Sequence, residues 1–272
     1  MRILTIQDIS CLGQCSMTVA LPVLSACGHE TCIVPTALLS THTGGFQHPA
    51  IRQLADFIPE IRGHWKREGI TFDAIYTGYL GSVEAVRETE AMIRDLLSPN
   101  GVVIADPAMG DHGKLYTGFD SDYAEAMKGL CGKADIILPN ITEAAMMAGL
   151  PYMAQPEEAY LTALLEGLCH NCVVLTGAGC REGETGVTVY DRGSRRDYRH
   201  RKIGKNYHGT GDLFASAFVG SYLRGKRLEQ AARLGADMVC RSIENSLSDP
   251  DHWYGVKFET AIGWLTEELA KE

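Results

Sequence analysis

The sequence contains no run approaching the ~18 uninterrupted apolar residues that a membrane-spanning helix needs. Its N-terminus, Met1-Arg-Ile-Leu-Thr-Ile-Gln7, enters a strand pattern at once. It lacks the apolar stretch and small-residue cleavage site of a signal peptide, which points to a cytoplasmic protein. Positive charge is not in excess either. The 25 Lys and Arg stand against 34 Asp and Glu, a formal net charge of −9, which argues against nucleic acid or an anionic membrane as the main partner. A local positive site for a nucleotide stays open. With no Pro/Ser-rich linker, low-complexity tract or fixed-period repeat, residues 1–272 are expected to form one domain.

Disulfide and metal signatures are also thin. An odd count of nine cysteines, spread from Cys11 to Cys240, suits reduced thiols. The tight cluster Cys169-His-Asn-Cys172 has no second cysteine pair at metal-ligand spacing, and it precedes a strand where a redox pair would open a helix. We read it, and the Cys11/Cys15 pair, as structural.

What the sequence does have is alternation. Short apolar runs at 2–6, 31–35, 73–77, 101–105, 136–139 and 173–176 read as buried strands. Segments at 16–26, 49–68, 83–97, 212–223, 228–246 and 258–271 carry helical spacing. Residues 186–190 and 197–202 alternate more strongly, as an antiparallel hairpin around Asp191-Arg-Gly193 would. The pattern predicts an α/β domain with a central, mostly parallel sheet covered on both faces. In such sheets the ligand lies beyond the carboxyl ends of the strands.

Those ends collect the informative residues. Asp106-Pro-Ala-Met-Gly-Asp-His-Gly113 follows one strand, Asn140-Ile-Thr-Glu143 another, and Thr176-Gly-Ala-Gly179 a third. Farther on, Gly209-Thr-Gly-Asp212 opens a helix. Each is weak alone: Asn140 and Glu143 could form only a capping box, and Asp212 could be an ordinary first-turn acid. Together they offer several carboxylates for Mg²⁺ and several bare amides for phosphate, a combination that suits a nucleoside triphosphate. The chain has no G-x-x-x-x-G-K-[ST], so it is no P-loop enzyme, and Gly209-Thr-Gly-Asp-Leu-Phe214 lacks the third glycine of a dinucleotide fingerprint.

At this point the chain resembles the vitamin B6 (pyridoxal/pyridoxamine) kinases of the ribokinase-like superfamily. The matching stretches are Ile3-Leu-Thr-Ile-Gln7, Ser40-Thr-His-Thr-Gly44, Thr77-Gly-Tyr-Leu-Gly-Ser82, Asp106 through Tyr116, Ala134 through Glu143, and Gly209-Thr-Gly-Asp212. They run in the family's order over most of the chain. The resemblance implies a three-layer αβα sandwich and phosphoryl transfer from ATP to a hydroxymethyl group of a B6 vitamer. It also implies Mg²⁺, a monovalent cation as candidate third component, and a homodimer.

By the same resemblance Asp212 is the catalytic base, and the amides of Gly209, Thr210, Gly211 and Asp212 form the anion hole. Asp106, Asp111 and Glu143 organise Mg²⁺. Asp111, Asn140, Glu143, Thr176 and Gly177, with the Gly209–Gly211 turn, contact the nucleotide. Residues 110–117 form a flap over it. Asp8, Ser10, His42, Thr43 and Tyr79 fall at the acceptor. Asp8 departs from the family, which often has serine there. A carboxylate favours a ligand cation, so the sequence tilts toward pyridoxamine. His208 is expected to cap the turn before Gly209, Lys205 and Arg201 to be a solvated basic pair, and Trp65 and Trp264 to pack in the core.

Hydroxymethylpyrimidine kinases of thiamine synthesis share the fold and the Gly-Asp motif, but Ser10-Cys-Leu-Gly13 matches their glycine-rich stretch poorly. Sugar kinases usually carry an inserted β-lid that is not visible here. A non-catalytic B6-binding protein is the remaining alternative, and loss of the base would mark it; Asp212 is present.

Overall fold

The computed structural model describes residues 1–204 and 207–271. In chain order its elements begin with β1 (Arg2–Ser10), α1 (Met17–Ala26), β2 (Glu30–Leu39), β3 (Ile51–Gln53), α2 (Ile58–Arg67), β4 (Phe72–Thr77) and α3 (Val83–Leu96). There follow β5 (Leu97–Ala105), the short pair β6 (Gly110–Asp111) and β7 (Lys114–Leu115), α4 (Ser121–Cys131), β8 (Ile136–Ile137), α5 (Ile141–Ala148) and α6 (Glu158–Gly167). The chain closes with β9 (Cys172–Thr176), β10 (Glu184–Asp191), β11 (Ser194–Arg201), α7 (Thr210–Leu223), α8 (Leu228–Ser246) and α9 (Glu259–Ala270).

Neighbouring residues of the central strands are buried on opposite sides. Leu4, Ile75, Ala105 and Val173 pack with α2 to α6, whereas Ile3, Ala74, Ile104 and Val174 pack with α1, α7 and α8. This double burial is why those strands read as continuous apolar runs. The sheet order is β11-β10-β9-β8-β5-β4-β1-β2-β3. Strands from β2 to β9 in that order run parallel, with antiparallel β3 at one edge and the antiparallel β10–β11 hairpin at the other. The result is a three-layer αβα sandwich with a mostly parallel sheet, as expected.

Residues 49–68 do not form one helix. Ile51–Gln53 pairs antiparallel with Ala37–Leu39 as an edge strand, and the helix starts only at Ile58, with Pro59 in its first turn. Proline is tolerated there and not farther in, so Pro59 fixes where the helix can begin. Helices α4 and α6 add to the helical segments expected from the sequence. The hairpin forms where alternation predicted it, in register from Glu184↔Arg201 to Asp191↔Ser194.

All nine cysteines are free thiols. Trp65 packs against Phe72 with ring centroids 5.4 Å apart, and Trp264 lies under the Arg241 guanidinium at 4.4 Å. Arg201 is exposed at the end of β11, and Lys205 lies outside the described residues. Among the described residues no helix is long and apolar enough to cross a membrane.

Candidate active site

The carboxyl ends of the parallel strands β1, β4, β5, β8 and β9 lie at one end of the sheet, and the turn that opens α7 packs on the segment between β1 and α1. Gly209 is the N-cap of α7, with φ 76° and ψ 1°, and no side chain caps the helix. The first-turn amides are therefore left to an outside acceptor. Residues 213–221 of α7 are buried throughout, so the turn stands on a fixed support. His208 does not cap: it is exposed, and its ring lies 5.2 Å from that of His42.

Asp212 sits in the first turn of α7. Burial in the cleft pushes its carboxyl up to about 7; the Ser16 backbone N–H opposes that shift, and the Asp8 carboxylate adds to it. Asp8 itself, at the end of β1, is 4% exposed. It accepts a hydrogen bond from Ser10 Oγ at 3.2 Å, and the Ser16 hydroxyl also donates to it. Ser16 thus touches both acids. It does so with φ 50° and ψ −124°, a left-handed backbone that a residue with a side chain rarely adopts. In the sequence Ser16 is only the start of a helix, because the bridge between strand β1 and helix α7 is tertiary.

A second acidic group lies beyond β5. Asp106 is 9% exposed and accepts from the Ala108 N–H at 3.2 Å. Burial, then the charges of Glu143 and Asp212, hold its carboxyl well above the usual range. Glu143, 2% exposed, forms the capping box with Asn140. Its Oε2 accepts from the Asn140 N–H at 2.9 Å, and its Oε1 from the N–H groups of Met109 at 3.0 Å and Gly110 at 3.5 Å. Burial raises this carboxyl too. Both oxygens of Glu143 are thus engaged by backbone, and their immediate work is to tie the loop after β5 to the start of α5. Asn140 Nδ2 adds a bond to the Gly110 carbonyl at 2.9 Å, and Gly113 N–H donates to Thr142 Oγ1 at 3.0 Å.

These bonds tie the two-stranded β6–β7 pair to the start of α5. Asp111 lies exposed on that pair, accepting from its neighbour's N–H at His112 at 2.7 Å. Beside Asn140, Thr176 joins it in a parallel bridge, and Gly177 follows in a left-handed turn at φ +73°. Among the described residues no three His, Cys, Asp or Glu side chains converge as a metal cage. Asp106 nevertheless suits a cation, being buried with acidic neighbours and only one N–H donor opposing its raised pKa.

The other wall carries the remaining expected residues. His42 is buried with both ring nitrogens engaged: Nε2 lies 2.7 Å from the Tyr254 carbonyl, and Nδ1 accepts from the Gly44 N–H at 3.1 Å. That pattern assigns the proton to Nε2 and leaves only the ring's faces for other contacts. Burial lowers its pKa, with the Tyr254 bond opposing. His42 therefore ties the 42–46 loop to the 252–254 segment, and Phe46 packs at a tilt against Trp253 with ring centroids 4.7 Å apart. Thr43 on that loop is exposed. Tyr79, half-buried after β4, stacks on Phe119 at 5.2 Å; burial and then Asp8 push its hydroxyl up to about 12. Phe46, Trp253 and Tyr254 were not foreseen, since no local motif marks a contact between segments 200 residues apart.

The cleft thus joins a bare helix N-terminus to buried carboxylates on either side of it. Such an arrangement can hold an anion at the amides and can take a proton at Asp212. The sequence model of the phosphomethylpyrimidine kinase family matches residues 20–255. A pyridoxine/pyridoxal/pyridoxamine kinase of Bordetella avium is 28% identical over 260 residues, covering 89% of this chain and 84% of the relative. The crystal structure of pyridoxal kinase from Lactobacillus plantarum superposes with a TM-score of 0.89 at 33% identity, covering 98% of this chain and 97% of that one. A Bacteroides thetaiotaomicron protein, assigned as a phosphomethylpyrimidine kinase and crystallised with pyridoxal, gives 0.91 at 33% identity, covering 97% and 95%.

Proposed function

The chain belongs to the phosphomethylpyrimidine kinase family, and on that premise we propose that it is an ATP-dependent vitamin B6 kinase. It transfers the γ-phosphoryl of ATP to the hydroxymethyl group of pyridoxal, pyridoxine or pyridoxamine. The observation that carries the reaction is the uncapped start of α7, where the amides after Gly209 are free of side-chain caps and Asp212 stands in the same turn. The acceptor class rests on the relatives' names and on their coverage of nearly the whole chain.

Each residue then has a task. The amides of Thr210, Gly211 and Asp212 receive charge from the transferring phosphoryl group, and Gly209 lets it approach the backbone. Asp212 accepts the acceptor hydroxyl's proton as the new O–P bond forms and the bond to ADP breaks. An alcohol is too weak an acid to ionise earlier, and a loose transition state asks mainly for positioning. A carboxyl whose pKa lies near 7 is partly ionised at neutral pH and still basic enough to take that proton.

Asp106 would hold Mg²⁺ together with nucleotide phosphates and water, as would Asp111 on the β6–β7 pair, and Glu143 fixes the loop on which Asp106 stands. The bound ion would neutralise phosphate charge. Asn140, Thr176 and Gly177 line the nucleotide side, and the β6–β7 flap excludes water from it. Ser10 and Tyr79 line the acceptor side. His42 closes that wall, with Thr43 beside it at the entrance. A cytoplasmic homodimer, with or without a monovalent cation, completes this reading.

A second reading has a hydroxymethylpyrimidine as acceptor, and the family model's description as a phosphomethylpyrimidine kinase favours a pyrimidine of that kind. The two are separated by incubating the protein with MgATP and each acceptor in turn, and identifying the product by mass. Phosphorylated vitamers bear out the proposal. A phosphorylated pyrimidine alone would move the protein to the second reading with its mechanism intact.

A further inference from the structure

Asp8 has a feature the phosphoryl transfer does not use. It is a buried carboxylate beside a second acid, Asp212, and the donors that face it are all uncharged: the Ser10 and Ser16 hydroxyls and its own backbone N–H. Among the described residues no Lys, Arg or His forms an ion pair with Asp8 or figures among the groups acting on it. Its charge instead raises the proton affinity of its neighbours Asp212, Tyr79 and Cys15. A buried carboxylate is costly unless paired. Here the pairing charge has to come from a proton or from the ligand.

Resting on the B6 reading above, we propose that Asp8 is a specificity-determining residue that pairs with a primary ammonium on the acceptor, so that the aminomethyl vitamer is the favoured substrate. The chemistry of the ring supports the placement. The hydroxymethyl group that must reach Asp212 and the group that differs among the vitamers are ortho substituents, held side by side. Adjacent substituents are read by adjacent groups, and Asp8 is the acid adjacent to Asp212. In pyridoxamine the ortho substituent is an alkylammonium. In pyridoxal and pyridoxine it is neutral and brings no charge to the pair. Tyr79 and the Ser10 hydroxyl border the same spot and can serve neutral substituents, so those vitamers are turned over less well and not excluded.

The test is kcat/KM for pyridoxamine and pyridoxine at saturating MgATP, in the wild type and in Asp8→Asn and Asp8→Ser. Asp8→Asn keeps the shape and an acceptor for Ser10 while removing the charge. The wild type is expected to prefer pyridoxamine. The pyridoxamine-to-pyridoxine ratio is expected to fall about tenfold or more in both variants, as loss of a charge-assisted bond implies. An unchanged ratio overturns this inference alone. A wild type that phosphorylates no vitamer overturns the acceptor reading and this inference with it. Should a variant lose turnover on both substrates, calorimetric titration of the two vitamers decides: selective loss of pyridoxamine binding supports the role of Asp8, and equal loss overturns it.

Discussion

A β-carbon added to Gly209 would stand 1.7 Å from the carbonyl oxygen of Gln14. The turn that opens α7 is pressed onto the segment that opens α1, and only glycine fits between them. Its φ of +76° makes the same demand from the backbone. Two independent constraints therefore place Gly209, one steric and one conformational. Together they hold Asp212 against the Ser16 N–H.

Gly209→Ala is accordingly expected to destabilise the fold by roughly 1–3 kcal/mol from the backbone strain alone, and to displace the turn amides. A thermal melt and kcat measured on the same preparation check it. An alanine variant with wild-type melting temperature and wild-type kcat would show that the turn has room the packing denies it.

The raised carboxyl of Asp212 has two consequences of opposite sense. As a base it works ionised, so kcat/KM should rise with pH through about 7. Between the ordinary value of 3.8 and about 7 the folded protein binds this proton more tightly than the unfolded chain does. The stability that Asp212 contributes therefore falls as pH rises through that window. Asp212→Asn should raise the melting temperature relative to wild type more at pH 8 than at pH 5, while removing the acid limb of the activity profile along with most activity. A melting-temperature difference that is flat with pH would contradict the shift.

Glu143 is expected to act through the loop it anchors. Glu143→Gln leaves one acceptor oxygen where two served three N–H groups, so an amide hydrogen must face a donor. We expect a loss of about 1–3 kcal/mol in stability and a raised KM for ATP, with the KM for the vitamer less affected. Proteolysis should find residues 106–115 more readily in the variant. Unchanged melting and KM would remove Glu143 from the account of the flap.

His42→Ala removes the staple between the Gly44 N–H and the Tyr254 carbonyl. The expected outcome is a several-fold rise in KM for the vitamer with KM for ATP little changed, since the staple lies on the acceptor wall. Steady-state kinetics with each substrate varied in turn separates the two. Equal rises in both would mean the loop supports the whole cleft.

What could be read from sequence was local. The bare Gly209-Thr-Gly-Asp212 turn, the capping pair Asn140 and Glu143 and the carboxylate after β5 each declare themselves within a few residues, and double burial makes the strands continuous apolar runs. What could not be read was tertiary. The spacing of Ile51, Leu54 and Ile58 fits a helix, but pairing with β2 claims Ile51–Gln53 as an edge strand. His208 looks like a cap until the left-handed Gly209 is seen to take that place. Ser16 gains its meaning only when Asp8 and Asp212, over two hundred residues apart in sequence, meet beside it.

The measurement to make first is ADP release with MgATP and saturating pyridoxamine, pyridoxal or pyridoxine, for wild type beside Asp212→Ala. Vitamer-dependent turnover in the wild type, reduced by about 10²–10⁴ in a variant that stays folded and still binds nucleotide, is the predicted result. Turnover that survives the loss of Asp212 would contradict its place as the base.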